Sequence, residues 1–204
     1  MRKILSQLIM ESKAINGLIL AGGKSSRMGR DKGLISYHGK PQREYLFEIL
    51  KEYCKDVYVS CKKDHDIPER LNPLPDEFVM DSPLNGIMTA FKKEPGCPWL
   101  VVAVDMPYVD RQAVQRLISQ RDERCVATCF RDSDGTLPEP LFSLWEPESH
   151  DLVVDFYKKG NISPREFLIR YEAHVIQPRD EKVLRNINTP EELDRFNTEQ
   201  NDQL

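Results

Sequence analysis

Two adjacent glycines, the cations that follow them and one aspartate are the residues of this sequence whose types and spacing can do chemistry. The stretch from Gly17 to Lys32 begins as a short apolar run, reaches Gly22-Gly23, and continues as a polar loop carrying Lys24, Arg27, Arg30 and Lys32. A strand that empties into a glycine-rich, cationic loop is how an open α/β sheet presents a polyphosphate site. Glycines without a Cβ let a ligand approach the backbone N–H groups, and lysine and arginine supply charge where phosphates carry it. Lys32 and Arg27 are the candidate phosphate clamps; the alternative is a tight turn bearing solvated basic side chains.

Two common phosphate motifs are excluded by spacing. No G-x-G-x-x-G occurs, and Gly33 to Gly39-Lys40 has five intervening residues where a P-loop has four. The aspartate is Asp105, which ends the run Trp99-Leu-Val-Val-Ala-Val104. A continuously apolar run reads as a central parallel strand covered on both faces. Mg2+ prefers one or two carboxylates plus substrate phosphates, which a lone carboxylate at a strand end suits. The alternative for Asp105 is a loop cap. Asp81 follows a shorter run, Phe78–Met80, read as a third strand. Ligands of open α/β sheets sit outside the carboxyl ends of the strands, so the ends at Leu20, Asp81 and Asp105 define one candidate site.

The run Leu-Ala-Gly-Gly-x-Ser-x-Arg-Met-Gly-x-Asp-Lys resembles the signature loop of the small nucleotidyltransferases. It is most similar to that of the molybdenum cofactor guanylyltransferases, the molybdopterin-guanine dinucleotide biosynthesis protein A family. Val79–Gly86, Val104–Tyr108, Asn186–Leu193 and, more weakly, Glu139–Phe142 also resemble that family, in its order, from about Gly17 to Phe196. The resemblance implies a nucleotide-diphospho-sugar transferase type of fold and a Mg2+-dependent reaction. In it, GMP passes from GTP to the terminal phosphate of molybdopterin, with or without its molybdenum, and pyrophosphate leaves.

The resemblance implies nucleotide contacts by Leu20, Ala21, Gly22, Gly23, Lys32, Ser60, Asp81, Pro83, Leu84, Gly86 and Asp105. It makes Lys32, Arg27 and Asp105 catalytic, Asp105 the metal ligand, and Asn186 and Asn188 the acceptor contacts. Both asparagines share a face if their segment is extended; from spacing alone a polar turn before the last helix is an equal reading. Protein partners that deliver molybdopterin or mature molybdoenzymes are implied as well. Two positions depart from the family. Ser60 stands where Asn is frequent, and Ser82-Pro83-Leu84-Asn85-Gly86 replaces Gly-Pro-Leu-Ala-Gly with a shorter preceding loop. Both lie near the base or ribose, so the preference for GTP over CTP rests on the Leu20–Gly23 form. The rival readings are a cytidylyl- or sugar-phosphate nucleotidyltransferase and a non-catalytic nucleotide-binding regulator; a dinucleotide-dependent oxidoreductase lacks its fingerprint.

The bulk properties allow this reading. With 204 residues, 40% apolar and 30% charged, the chain can build one full core. A net charge of −4 argues against a general nucleic-acid binder. Five cysteines with no Cys-x-x-Cys pair suit a reduced, cytoplasmic protein, and no apolar run approaches the length of a membrane span. The expected organisation is an N-terminal extension (1–16), one nucleotidyltransferase domain (17–197) and a disordered polar tail (198–204).

The positioning elements are read from periodicity. Helices are expected at Arg43–Tyr53, Ile87–Lys93, Arg111–Gln120 behind an Asp110 cap, and Glu148–Lys159. The capping boxes at Ser163 and Thr189 start two more. Strands are expected at Asp56–Ser60, Cys125–Phe130, Leu141–Trp145 as an antiparallel edge, and Ala173–Ile176. The stretch Lys62–Glu77, with three prolines, reads as loop. Alternation of strands and helices predicts a three-layer α/β/α sandwich around a Rossmann-like, mostly parallel sheet.

Overall fold

Every residue of the strands Asn16–Leu20 (β1) and Trp99–Ala103 (β4) is buried, so both faces of the sheet centre are covered, as a three-layer fold requires. The computed structural model describes residues 15–22, 31–63 and 66–201. Around this pair lie Val57–Cys61 (β2), Pro73–Pro75 (β3), Ala127–Arg131 (β5), Pro138–Trp145 (β6) and His174–Ile176 (β7). They form one sheet in the order β3-β2-β1-β4-β6-β5-β7. Only β6 runs antiparallel to its neighbours; β1 pairs parallel with β2 and β4 in a continuous register from Asn16 opposite Trp99 to Leu20 opposite Ala103.

Helices Gln42–Lys51 (α1), Leu84–Lys93 (α2), Arg111–Ser119 (α3), Ser149–Lys158 (α4), Pro164–Arg170 (α5) and Pro190–Asn201 (α6) connect the strands. Their ends follow the expected caps. Asp110 accepts from the Ala113 N–H, and Ser163 accepts from the Glu166 N–H. The main core includes Trp99, Trp145, Phe91 and Phe130, all fully buried. A second, smaller cluster joins Ile35, Tyr37, Ile187 and Phe196, fastening the C-terminal segment beside the turn that carries Lys32.

Four expectations are corrected. Phe78–Met80 is not a strand; the pairing strand is Pro73–Pro75, inside the stretch read as loop. It is an edge strand, where proline is tolerated because only one side of the backbone is paired. β6 is antiparallel, as expected, but lies between β4 and β5, and β7 takes that edge of the sheet. Helix α2 starts at Leu84 and not at Ile87, with Pro83 immediately before it. Helix α6 continues to Asn201, past the expected end at Asn197. The expected extension falls mostly outside the described residues, and its last two, Ile15 and Asn16, are buried in the fold.

Candidate functional site

The carboxyl ends of β1, β2 and β4 open into a cleft of about 940 Å³. Val104 N–H donates to the Leu20 carbonyl, carrying the β1–β4 ladder one step past β4, and Asp105 follows at the mouth. Its backbone carbonyl accepts from Ile187 N–H at 2.8 Å, which pins the turn to the C-terminal segment. Asp105 Oδ2 lies 3.2 Å from Lys32 Nζ, while Oδ1 is buried with no hydrogen-bond partner among the described residues. A buried carboxylate oxygen without a donor is an open acceptor position.

Lys32 starts a single tight helical turn, Lys32–Leu34, capped by Asp31, whose carboxylate accepts from Gly33 N–H at 2.8 Å. Its ammonium is shared: besides Asp105 it donates to Asn188 Oδ1 at 2.6 Å. Asn188 is in turn held by the cap of α6. Glu192 Oε2 accepts from the Asn188 and Thr189 N–H groups at 2.6 and 3.1 Å, and Thr189 Oγ1 accepts from Glu192 N–H. The expected capping box is present and orients a site residue. Behind Asp105 the Glu139 carboxyl is buried, and burial pushes its pKa up; the Leu141 N–H and Arg165 oppose the shift, and Asp105 and Asp132 add to it.

At the other end of the cleft, Leu20, Ala21, Gly22 and Ser60 line one wall. Ala21 N–H donates to the Ser60 carbonyl, and Ser60 Oγ donates to Asp76 Oδ1 at 2.7 Å. A Cβ on Gly22 would sit 3.1 Å from Asp76 Oδ2, so any side chain there would crowd this carboxylate. Gly86 has a stricter reason: a Cβ would lie 2.4 Å from Ser60 Oγ and 2.6 Å from Leu20 Cδ2. Without glycine, α2 could not pack this close to β1 and β2.

Asp81 and Pro83 line the cleft, Asp81 from a loop and not from a strand end. Leu84 does not: its side chain is fully buried in the main core, where it anchors the first turn of α2. Asn186 does not line the cleft, and its Oδ1 is buried without a partner among the described residues. Its segment, residues 185–188, belongs to no helix or strand. Gly23 and Arg27, with Lys24 and Arg30, lie outside the described residues. The residue that motif reading missed is Asp76, concealed in a charged, proline-rich stretch; its signal is an acidic residue directly after the Pro73-Leu74-Pro75 edge strand.

The cleft thus has a charged end, with Asp105 and the Lys32 that Asn188 holds, and an acceptor-rich end, with Ser60 and Asp76. Residues 17–175 match the model of the MobA-like NTP transferase domain. The chain belongs to that family. The bifunctional molybdenum cofactor biosynthesis protein of Synechocystis sp. is 35% identical over 184 residues, which are 89% of this chain and 53% of that protein. The chain therefore spans about half the length of that relative. The molybdenum cofactor guanylyltransferase of Pseudomonas aeruginosa is 34% identical over 185 residues, covering 86% of this chain and 91% of its own. Molybdopterin-guanine dinucleotide biosynthesis protein A from Archaeoglobus fulgidus superposes with a TM-score of 0.74 at 20% identity, over 92% of this chain and 99% of that one. The fold is of the nucleotide-diphospho-sugar transferase type. Lys32 and Asp105 are an ion pair lining this cleft. No helix among the described residues is long and apolar enough to cross a membrane.

Proposed function

We propose that this protein transfers GMP from GTP to the terminal phosphate of molybdopterin, with or without bound molybdenum, and releases pyrophosphate. The observation that carries the reading is the Lys32–Asp105 pair at the end of β4, set in one cleft with the Asp76–Ser60 end. The relatives named guanylyltransferase support the nucleotide and the acceptor. The triphosphate lies at Lys32 and Asp105, and the base at Leu20–Gly22, Ser60 and Asp76. A carboxylate suits guanine, whose N1–H and N2–H donors it accepts; cytosine presents no such pair of donors.

A terminal phosphate oxygen of the acceptor attacks the α-phosphorus in line. The bond from that phosphorus to the bridging oxygen breaks, and its electrons leave with pyrophosphate. The nucleophile is already an anion, so no general base is needed. Lys32 orients and neutralises the phosphates, Arg27 of the same signature stretch is the second proposed source of charge, and Asn188 positions Lys32 beside the acceptor half-site with Asn186 nearby in sequence. The residues fit a magnesium ion: Asp105 Oδ1 is a hard, buried oxygen with no hydrogen-bond partner among the described residues. Such a site takes one protein carboxylate and completes its shell with phosphate oxygens and water. When bound, Mg2+ neutralises charge on the triphosphate and the leaving group.

The proposed catalytic unit is the expected domain, residues 17–197, together with Ile15 and Asn16, which are buried in the fold, and the rest of α6. Five free cysteines support a cytoplasmic location, and proteins that supply molybdopterin or receive the dinucleotide are the expected partners. A regulator without catalysis would have no use for Asp105 in this position. The test is direct: incubate the protein with Mg2+, molybdopterin and GTP, CTP or ATP in turn, and identify the product. Formation of the guanine dinucleotide with GTP supports the reading, and equal turnover with CTP overturns the base assignment.

A further inference from the structure

The wall of the cleft facing Ser60 runs through residues 76–82 without strand or helix. Its crest is exposed, with Val79 97% open to solvent. A loop of this kind holds one shape only where its backbone groups find partners. Helix α2 supplies them through two buried side chains, Asn85 and Thr89. Asn85 is 4% exposed. Its Oδ1 accepts from Phe78 N–H at 3.0 Å, and its Nδ2 donates to the Phe78 and Met80 carbonyls at 2.6 and 3.3 Å. One turn further along α2, Thr89 Oγ1 donates to Asn85 Oδ1 and accepts from Glu77 N–H at 3.1 Å. The amide thus pairs with both polar groups of the Phe78 residue at once. Only a side chain with both a donor and an acceptor can do this; aspartate would face two carbonyls with a negative charge, and alanine would leave all three backbone groups unpaired.

We infer that Asn85 is the positioning residue of the base end of the cleft, holding the 76–82 wall in the shape that selects the nucleobase. The inference rests on the reading of this cleft as a GTP site. Its physical content is that Asp76, at the start of the segment, is held by Cys61 and Ser60, and the hydrogen bonds of Asn85 fix the backbone that leads from there to Asp81. Base discrimination depends on such placement, because a misplacement of about 1 Å at a recognition contact is felt strongly. The charged end is built from other elements, so the phosphates do not depend on Asn85.

The test compares three probes, GTP, ATP and inorganic tripolyphosphate, by calorimetry on the whole chain, in wild type, Asn85→Ala and Thr89→Val. Thermal melting is recorded alongside. Asn85→Ala is expected to weaken GTP binding about tenfold or more and to shrink the GTP-to-ATP preference by a similar factor, with tripolyphosphate affinity unchanged. Thr89→Val, which removes the Glu77 contact and the hydrogen bond to Asn85 Oδ1, is expected to shift the same ratio by a few-fold in the same direction. A merely structural role would lower melting and leave the ratio where it was. An unchanged ratio in a wild type that prefers GTP overturns the inference alone. So does a tripolyphosphate loss as large as the GTP loss. A wild type with no preference for GTP overturns the GTP reading, and the inference with it. If Asn85→Ala does not fold, Thr89→Val decides, and an unchanged ratio there counts against Asn85.

Discussion

Replacing Asp105 by Asn tests the charged end of the cleft most sharply. The substitution keeps the side-chain shape and removes one negative charge. The Asp105 and Lys32 side chains are only 20% and 15% exposed, so the charge acts in a partly desolvated setting where water does not fully screen it. Two effects then oppose each other. Lys32 is freed from an ion partner 3.2 Å away and becomes more available to phosphates. The position of Oδ1, which no donor among the described residues fills, loses its ability to hold a cation. Turnover is therefore expected to fall by at least about a hundredfold, equivalent to about 3 kcal/mol of transition-state stabilisation. GTP binding without Mg2+ should survive or tighten slightly, because a like charge near the triphosphate has gone. The assay is paired: GTP affinity by calorimetry with and without Mg2+, and initial rates across a Mg2+ titration, in both proteins. A mutant with normal turnover and an unchanged Mg2+ requirement would refute Asp105 as the metal carboxylate.

Lys32→Ala removes the ammonium that bridges Asp105 and Asn188, and is expected to weaken GTP use by about 2 kcal/mol, or roughly thirtyfold, in steady-state kinetics. Its melting temperature should move by no more than about 4 °C, since a partly exposed ion pair is worth about 1 kcal/mol; a collapse of melting with activity retained would make Lys32 structural. Asn188→Asp places a second carboxylate 2.6 Å from the Lys32 ammonium, so GTP affinity should fall several-fold at low salt and recover as salt is added; an unaltered affinity would confine Asn188 to the acceptor half. Gly86→Ala drives a methyl into Ser60 Oγ and Leu20 Cδ2, and should destabilise the fold by about 1–3 kcal/mol in denaturant titration while also impairing the base end.

The parts of the site that sequence made legible share one property: few structural alternatives. A carboxylate ending the wholly buried β4 cannot be solvated by its own strand, so Asp105 could be placed at a sheet end before any coordinates were known. The glycine after β1 and the capping box at Thr189 are local signals in the same sense. Asp76 was hidden because its strand is made of two prolines and one leucine, a composition that denies strand structure everywhere except at a sheet edge. The Phe78–Met80 run looked like a strand because its residues are apolar, yet its backbone groups pair with the Asn85 side chain and not with a neighbouring strand. Asn85 itself registered only as a departure from the family pattern; its meaning lies in contacts five and seven residues away, which no periodicity encodes.

The charged end of the cleft depends on parts of the chain that are remote in sequence. Lys32 meets Asp105 across 73 residues and Asn188 across 156. Such contacts hold only if the elements bearing them are fixed to one another, and here the second hydrophobic cluster does the fixing. Phe196 of α6 is fully buried, with ring centroids 5.1 Å from Tyr37 and 4.9 Å from Tyr108. Tyr37 follows the Lys32 turn and Tyr108 follows Asp105. His38 closes the arrangement: its ring stacks on Tyr45 at 3.9 Å, and its Nε2 donates to the Pro107 carbonyl at 2.8 Å. Burial holds the His38 pKa down, which keeps the ring neutral and the Nε2–H tautomer in place at neutral pH. The last helix therefore helps to place Lys32 and Asp105, and through Glu192 it also holds Asn188, which precedes it. A chain ending before α6 would retain the strands of the sheet, yet would lose the aromatic contacts that keep Lys32 and Asp105 within one hydrogen bond of each other.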